Sequence, residues 1–299
     1  MKRGYLQILL AAVLFPLALG LTLYPVVSNW YIGRHQSRIQ TEYREVLEQT
    51  DSAEIESIRE SAAAYNKTIT PGAAEKAYSQ ESIRLAAEDY VNQVDVSGSG
   101  IMGYVEIPKI GADLPIYHGT GADSLDRGTG HLLGSSLPVG GESTHTIITG
   151  HSGMASQKMF TDLEQLREGD IFYLHVLDET LTYEVREIHT VLPHDTTYLG
   201  IEPGEDLCTL VTCTPTGVNT HRLLVHGSRI PYVPTEETEA SAVLHEENTD
   251  SNWEKQYWLG VRLGLAAMVF LTLVAGAVLY IRRNRGRAVH RKGGRYVRK

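Results

Sequence analysis

The chain has only two cysteines and four phenylalanines among its 299 residues, and no acidic residue before Glu42 or after Glu254. Each shortage excludes something. Two cysteines cannot build the disulfide framework of a small secreted scaffold. Cys208 and Cys213 lie in one apolar, β-branched run, which if extended separates them by roughly 16 Å, beyond the reach of a disulfide. The histidines show no His-x-x-x-His spacing and the cysteines no Cys-x-x-Cys, so the usual zinc arrangements are not expected. A dinucleotide fingerprint, a P-loop and internal repeats are also missing, and no cofactor is expected.

The acid-free ends have a common explanation. Lys2 and Arg3 precede the apolar run Tyr5 to Val27, and a second run, Trp258 to Ile281, is 24 residues long, enough to cross a hydrocarbon core of roughly 30 Å as a helix. Its one charge, Arg262, lies a turn from the end and can snorkel. Arg282 to Lys299 then holds nine Lys or Arg. The positive-inside rule predicts two spans, both termini cytoplasmic and the intervening domain extracellular. Tyr24 to Trp30 is bulky and offers no small-x-small cleavage site, so the first span reads as a retained anchor rather than a signal peptide. Between the spans, Trp30 to Tyr257 carries 15 basic against 36 acidic residues, a balance that disfavours nucleic acid or an anionic bilayer as its partner. The basic tail fits anionic inner-leaflet lipid.

Residues 1–30 are thus assigned to the short N-terminal cytoplasmic segment and anchor. In 31–97, Ile39, Tyr43, Val46, Leu47, Ile55, Ile58, Ala62 and Tyr65 recur at threes and fours, predicting two helices with a break at Thr50-Asp51-Ser52, where Asp51 or Ser52 caps the second. After Thr70-Pro71-Gly72, helical spacing resumes over Tyr78 to Val94. From Gly98 the pattern changes to short β-type runs, and residues 98–231 read as a β-domain. Its expected strands are Met102 to Ile107, Leu114 to Tyr117, Thr146 to Thr149, Ile171 to Val176, Leu181 to Val191, Leu207 to Cys213 and Arg222 to Ile230. About seven short strands form a closed or sandwiched β-structure. One helix is expected among them, Ala155 to Leu166, with Met159, Phe160, Leu163 and Leu166 on one side. An acidic linker, 232–257, leads to the span 258–281 and the tail 282–299.

The reactive residue is Cys213, at the end of a strand that Pro215 and Gly217 terminate. Side-chain alternation puts Thr209, Val211 and Cys213 on one face, leaving Cys208 on the other as core filler. A thiol attacks as its thiolate and needs a nearby base or cation. His151, between Gly150 and Gly153, follows one strand, and Arg222 opens the next. Acyl transfer requires a nucleophile, a proton donor for the leaving amine and a donor for the oxyanion, and Cys213, His151 and Arg222 can fill those roles. His226 shares strand parity with Arg222 and is the rival base. A papain-like arrangement fails, because its cysteine signature is absent and His151 precedes the cysteine.

Thr209-Leu210-Val211-Thr212-Cys213, Thr149-Gly150-His151 and Asn219-Thr220-His221-Arg222-Leu223-Leu224-Val225 resemble the segments that carry the cysteine, histidine and arginine of sortases, membrane-bound transpeptidases of Gram-positive bacteria. Ile107-Pro108-Lys109-Ile110, Leu114-Pro115-Ile116-Tyr117-His118-Gly119 and Ser135-Ser136-Leu137-Pro138-Val139-Gly140-Gly141 resemble the pilus-assembling class C branch, as does the second span. The resemblance implies a mainly β fold, a closed eight-stranded sortase-type barrel, to which the N-terminal helices and the two flanking transmembrane helices read above are added. It implies a thioester on Cys213 with the threonine of a Leu-Pro-x-Thr-Gly-type signal, His151 as general acid/base and Arg222 on the oxyanion. The partners implied are pilin or surface-protein substrates bearing such signals, with the acceptor amine coming from a pilin lysine or a cell-wall bridge. Two departures stand out. The Asp-Pro-aromatic lid motif of class C is absent, its place taken by Thr70 to Ser82 with Pro71 and Tyr78, and Thr216 stands where tyrosine is common. A non-enzymatic peptide-binding β-domain is the reading from another class, and it predicts that Cys213→Ala keeps all function.

Overall fold

The computed structural model of the chain describes residues 38–70, 72–79, 88–154 and 157–232, with isolated residues in 15–28 and 261–276. Apart from those isolated residues and Tyr232, the two apolar runs, the acidic linker and the basic tail lie outside the described residues, as does part of the Tyr78 to Val94 stretch. Among the described residues no helix is long and apolar enough to cross a membrane. The elements below all belong to the compact unit Leu23–Asp250.

Helix α1 covers 38–49 and α2 Ser52–Asn66. They meet at the expected break, where the Asp51 carboxylate caps α2 by accepting from the Ala53 amide at 3.0 Å, satisfying one of the donors a helix start leaves open. Both helices are fastened to the domain that follows by side chains. The Tyr43 hydroxyl of α1 donates to the Met102 carbonyl at 3.2 Å and accepts from the Leu177 amide at 3.0 Å, and burial pushes its pKa up to about 12. At the end of α2 the Asn66 amide donates to the Leu137 carbonyl and accepts from the Leu137 amide. Short helices α3 (Ala73–Ser79) and α4 (Glu88–Val91) follow.

The strands are β1 (Ile101–Ile107), β2 (Ala112–His118), β3 (Thr129–His131), β4 (Thr144–Thr149), β5 (Ile171–Val176), β6 (Glu179–Val191), β7 (Asp206–Thr214) and β8 (His221–Ile230), with a one-turn helix α5 (Ala122–Leu125) before β3. They close into a barrel in the order β1-β2-β3-β4-β7-β8-β6-β5, which leaves no sheet edge exposed. Pairing is antiparallel except between β2 and β3 and between β4 and β7. Cys208 and Leu210 enter the main core cluster, whereas Val211 packs with Ile147, Val191, Leu199 and Leu224 in a second cluster. Alternation along β7 therefore puts Cys213 on the side of Val211, away from the main core.

Seven of the eight strands fall within two residues of the sequence expectation. The eighth, β3, is three residues long and contains Gly130, too short for a periodicity of two to register. The expected helix Ala155 to Leu166 is a correction: the described part of that stretch is a turn followed by a single 3₁₀ turn, Leu163–Gln165. Met159 has φ of +43°, which an α-helix does not accommodate. The apolar spacing is real all the same, because Met159, Phe160, Leu163 and Leu166 all enter the core cluster.

Candidate active site

Strand β7 carries Cys213 and β8 carries Arg222, and the two residues face each other directly in the antiparallel ladder. Opposed residues in such a ladder hold their Cβ atoms about 5 Å apart. The guanidinium is steadied from the β7–β8 turn, its Nη1 donating to the His221 carbonyl at 3.1 Å and the Asn219 carbonyl at 3.3 Å.

On the other side of β7 runs β4, parallel to it and ending with Thr149 opposite Val211. The chain leaving β4 stays on β7 for three more residues. The Gly150 amide donates to the Val211 carbonyl at 3.0 Å, the Thr212 hydroxyl donates to the Gly150 carbonyl at 2.7 Å, and the Ser152 hydroxyl donates to the Cys213 carbonyl at 2.5 Å. His151 is thereby held beside the cysteine, between two residues that are each tied to β7. Its carbonyl accepts from the Phe160 amide at 3.0 Å, and its Nε2 lies 4.0 Å from the Asp126 carboxylate. The two glycines around it have separate reasons. A Cβ at Gly150 would stand 2.6 Å from the Phe160 ring. Gly153 has φ of +72°, and a Cβ there would meet the Thr216 methyl at 3.0 Å, so the loops after β4 and β7 pack on one another.

The structure thus brings His151, Cys213 and Arg222 to one end of three neighbouring strands. Tyr78 joins them from α3, packed against the second cluster. Burial raises the pKa of its phenol, an effect the adjacent Arg222 guanidinium opposes and Cys213 reinforces. The Thr70 to Ser82 stretch therefore contributes an aromatic side chain at the site although it lacks the Asp-Pro-aromatic tripeptide.

The residues that sequence set aside also have clear places. Both cysteines are free thiols. Cys208 is fully buried and its pKa is driven well above the ordinary thiol value by that burial, which keeps it unreactive. His226 sits opposite Thr209, four residues along β7 from Cys213, or roughly 13 Å at strand spacing. Its proton is committed. His145 Nδ1 lies 2.7 Å from the Gly200 carbonyl and so must donate there, leaving Nε2 to accept from the Thr209 hydroxyl at 2.6 Å. Thr209 in turn accepts from His226 Nδ1 at 2.7 Å. Burial depresses His226 to about 4. Among the described residues no group of three or more His, Cys, Asp or Glu is arranged to hold a metal ion.

Ser152, Asp126 and the position of Tyr78 were beyond sequence reasoning. A serine after a histidine carries no signal of its own, and Asp126 approaches His151 only through the fold. Tyr78 alone had a pointer, as the aromatic in the stretch ahead of the barrel.

The barrel has relatives among known proteins. The sortase-domain family profile matches residues 105–230. Among curated proteins, the chain is 27% identical over 227 residues to Sortase A of Streptococcus agalactiae, covering 75% of this chain and 84% of that protein. It is 32% identical over 131 residues to Sortase D of Bacillus subtilis, covering 43% of this chain and 63% of that protein. Among solved structures it is similar to Streptococcus pneumoniae Sortase C, with a TM-score of 0.59 and 45% identity over 66% of this chain and 100% of that one. Streptococcus agalactiae sortase C1 is similar at a TM-score of 0.60 and 43% identity, again over 66% of this chain and 100% of that one.

Proposed function

The chain belongs to the sortase family of cysteine transpeptidases, in its class C branch, and from that premise we propose that Cys213, His151 and Arg222 are its catalytic set and that it polymerises pilin subunits. The observation that carries the assignment is the strand arrangement: Cys213 opposite Arg222 across one ladder, with His151 bracketed by residues tied to β7 on the other side.

In this reading Cys213 Sγ, as thiolate, attacks the carbonyl carbon between Thr and Gly of a Leu-Pro-x-Thr-Gly-type signal. A C–S bond forms and the carbonyl electron pair moves to oxygen, where the Arg222 guanidinium donates to the developing oxyanion. The oxyanion collapses, the C–N bond breaks, and the departing glycine amine takes a proton from the His151 imidazolium. The threonine acyl group is left as a thioester on Cys213. An acceptor amine then attacks the same carbon, surrenders a proton to His151, and expels the thiolate, so that one amide replaces another and no oxidant or reductant is consumed. The nitrogen of His151 that gives up the proton in the first half takes one back in the second, as a reversible acyl transfer requires.

The acceptor is the lysine amine of the next pilin subunit. Supporting this are the solved relatives, among them the Streptococcus pneumoniae enzyme studied for pilin substrate specificity and the pilus-related Sortase C of Group B Streptococcus. Residues 98–231 form the catalytic unit, the runs Tyr5 to Val27 and Trp258 to Ile281 hold it at the outer face of the cell membrane, and 232–257 link it to the second span. The test is competition: the acyl-enzyme is offered a pilin-derived lysine peptide and a cell-wall bridge peptide together. An isopeptide product on lysine is expected, whereas exclusive transfer to the bridge amine would make the chain an anchoring sortase acting on peptidoglycan precursor.

A further inference from the structure

The sheet between β4 and β7 ends one rung too early for the chemistry next to it. In a parallel ladder the donors of one strand recur at every second residue. After Gly150 donates to the Val211 carbonyl, the next rung belongs to residue 152 and the carbonyl of Cys213. A side chain fills it: Ser152 is 9% exposed, and its hydroxyl donates to that carbonyl at 2.5 Å. Thr212 makes the reciprocal bond, from β7 back to the Gly150 carbonyl at 2.7 Å. The two hydroxyls close a clasp with His151 at its centre.

The clasp matters because the other bonds on this loop, from the Phe160 amide to the His151 carbonyl and from the Gly153 amide to the Thr161 hydroxyl, hold its backbone on the side away from the thiol's strand. His151 lies in an irregular loop with glycine at 150 and 153, its side chain is 37% exposed, and the Asp126 carboxylate is 4.0 Å from its Nε2. Protonating a leaving amine needs heavy-atom approach within about 3 Å, and a 1 Å misplacement costs on the order of 100-fold in rate. We infer that Ser152 is a positioning residue of the transpeptidase: by bonding the nucleophile's own carbonyl, its hydroxyl sets the separation between the His151 imidazole and the Cys213 thiol. The inference rests on the reading of Cys213 as nucleophile and His151 as acid. Serine suits the place because its short side chain brings the donor close to the backbone, and its hydroxyl has no charge to perturb the thiol.

The full-length chain in detergent, as parent, Ser152→Ala and Ser152→Thr, tests this with a Leu-Pro-x-Thr-Gly peptide. In Ser152→Ala the single-turnover acylation rate falls about 10- to 100-fold while KM stays within about twofold of the parent. Amide exchange across 150–153 quickens about fivefold, the loss of one ordinary hydrogen bond. Ser152→Thr, which keeps the hydroxyl, returns both readouts towards the parent. Acylation at the parental rate in Ser152→Ala overturns the inference, and so does a rate loss that threonine does not rescue and that comes with a lowered melting temperature. A parent that forms no adduct overturns the catalytic reading itself. Unchanged exchange in Ser152→Ala, with a normal parental adduct, overturns the clasp alone.

Discussion

Replacing Tyr78 by alanine is predicted to uncover Cys213. Helix α3 is seven residues long, and a helix of that length is not stable by itself in water. Its hold on the barrel is the packing of Ala74 and Tyr78 on Ile147, Leu132, Val191, Leu199, Val211 and Leu224, together with the meeting of the Tyr78 phenol with Arg222 and Cys213. Truncating a large, partly buried aromatic side chain removes about 2 kcal/mol of that hold, counting lost apolar burial and discounting for partial exposure. Every 1.4 kcal/mol is tenfold in an equilibrium, so the uncovered fraction rises by about 30-fold. The assay is the rate of Cys213 alkylation by a small thiol reagent, followed by intact mass. Cys208, buried in the core, supplies an internal control that reacts only on unfolding. The reasoning predicts faster labelling of Cys213 with Cys208 still silent. Equal labelling rates in Tyr78→Ala and parent would refute it, since the segment would then not restrict access.

Acid stability gives a second test. His226 is held neutral in the fold, at about 4 against an ordinary value of 6.5, chiefly by burial. Between those pH values the unfolded chain binds a proton that the folded chain refuses, so stability is complete above pH 6.5 and declines as pH falls towards 4, by about 3 kcal/mol for this group. Urea unfolding of His226→Gln is expected to show a shallower loss over that window, and a slope identical to the parent would count against the buried neutral imidazole. A third test concerns Thr216, whose methyl faces Gly153 in the loop after His151. Thr216→Tyr is expected to change relative turnover across a panel of sorting-signal peptides by about threefold or more, through pressure on that loop; an unchanged ranking would remove position 216 from the specificity argument.

Much of this architecture was legible because β-barrel strands write their burial into a period of two. The strand of Asp206–Thr214 and the cap at Asp51 come from local rules alone, and both were found where expected. Local rules failed where the fold supplies the constraint. The run from Met159 to Leu166 has helical spacing because its side chains converge on one core, and the positive φ at Met159 is a feature that spacing does not reveal. Strand β3 exists because β2 and β4 offer it partners on both sides, not because Thr-Gly-His favours extension. At the site, the cysteine, histidine and arginine stood out as residue types placed at strand ends. Their relation was hidden, because β4 and β7 are neighbours through a parallel pairing with β5 and β6 in between. Ser152 acquires meaning only through that pairing, and Asp126 only through the fold that brings the end of α5 near His151. His226 shared the parity of Arg222, as read from the sequence, yet it lies opposite Thr209, four residues along β7 from Cys213, with its Nδ1 bonded to the Thr209 hydroxyl.

The most direct test of the central claim is the intact mass of the full-length chain after mixing with a Leu-Pro-x-Thr-Gly peptide, beside Cys213→Ala. The account predicts an adduct equal to the peptide up to and including its threonine, released by hydroxylamine as a thioester is, and absent from Cys213→Ala. An adduct that persists in Cys213→Ala, or none in either the parent or the uncovered Tyr78→Ala chain, would contradict it.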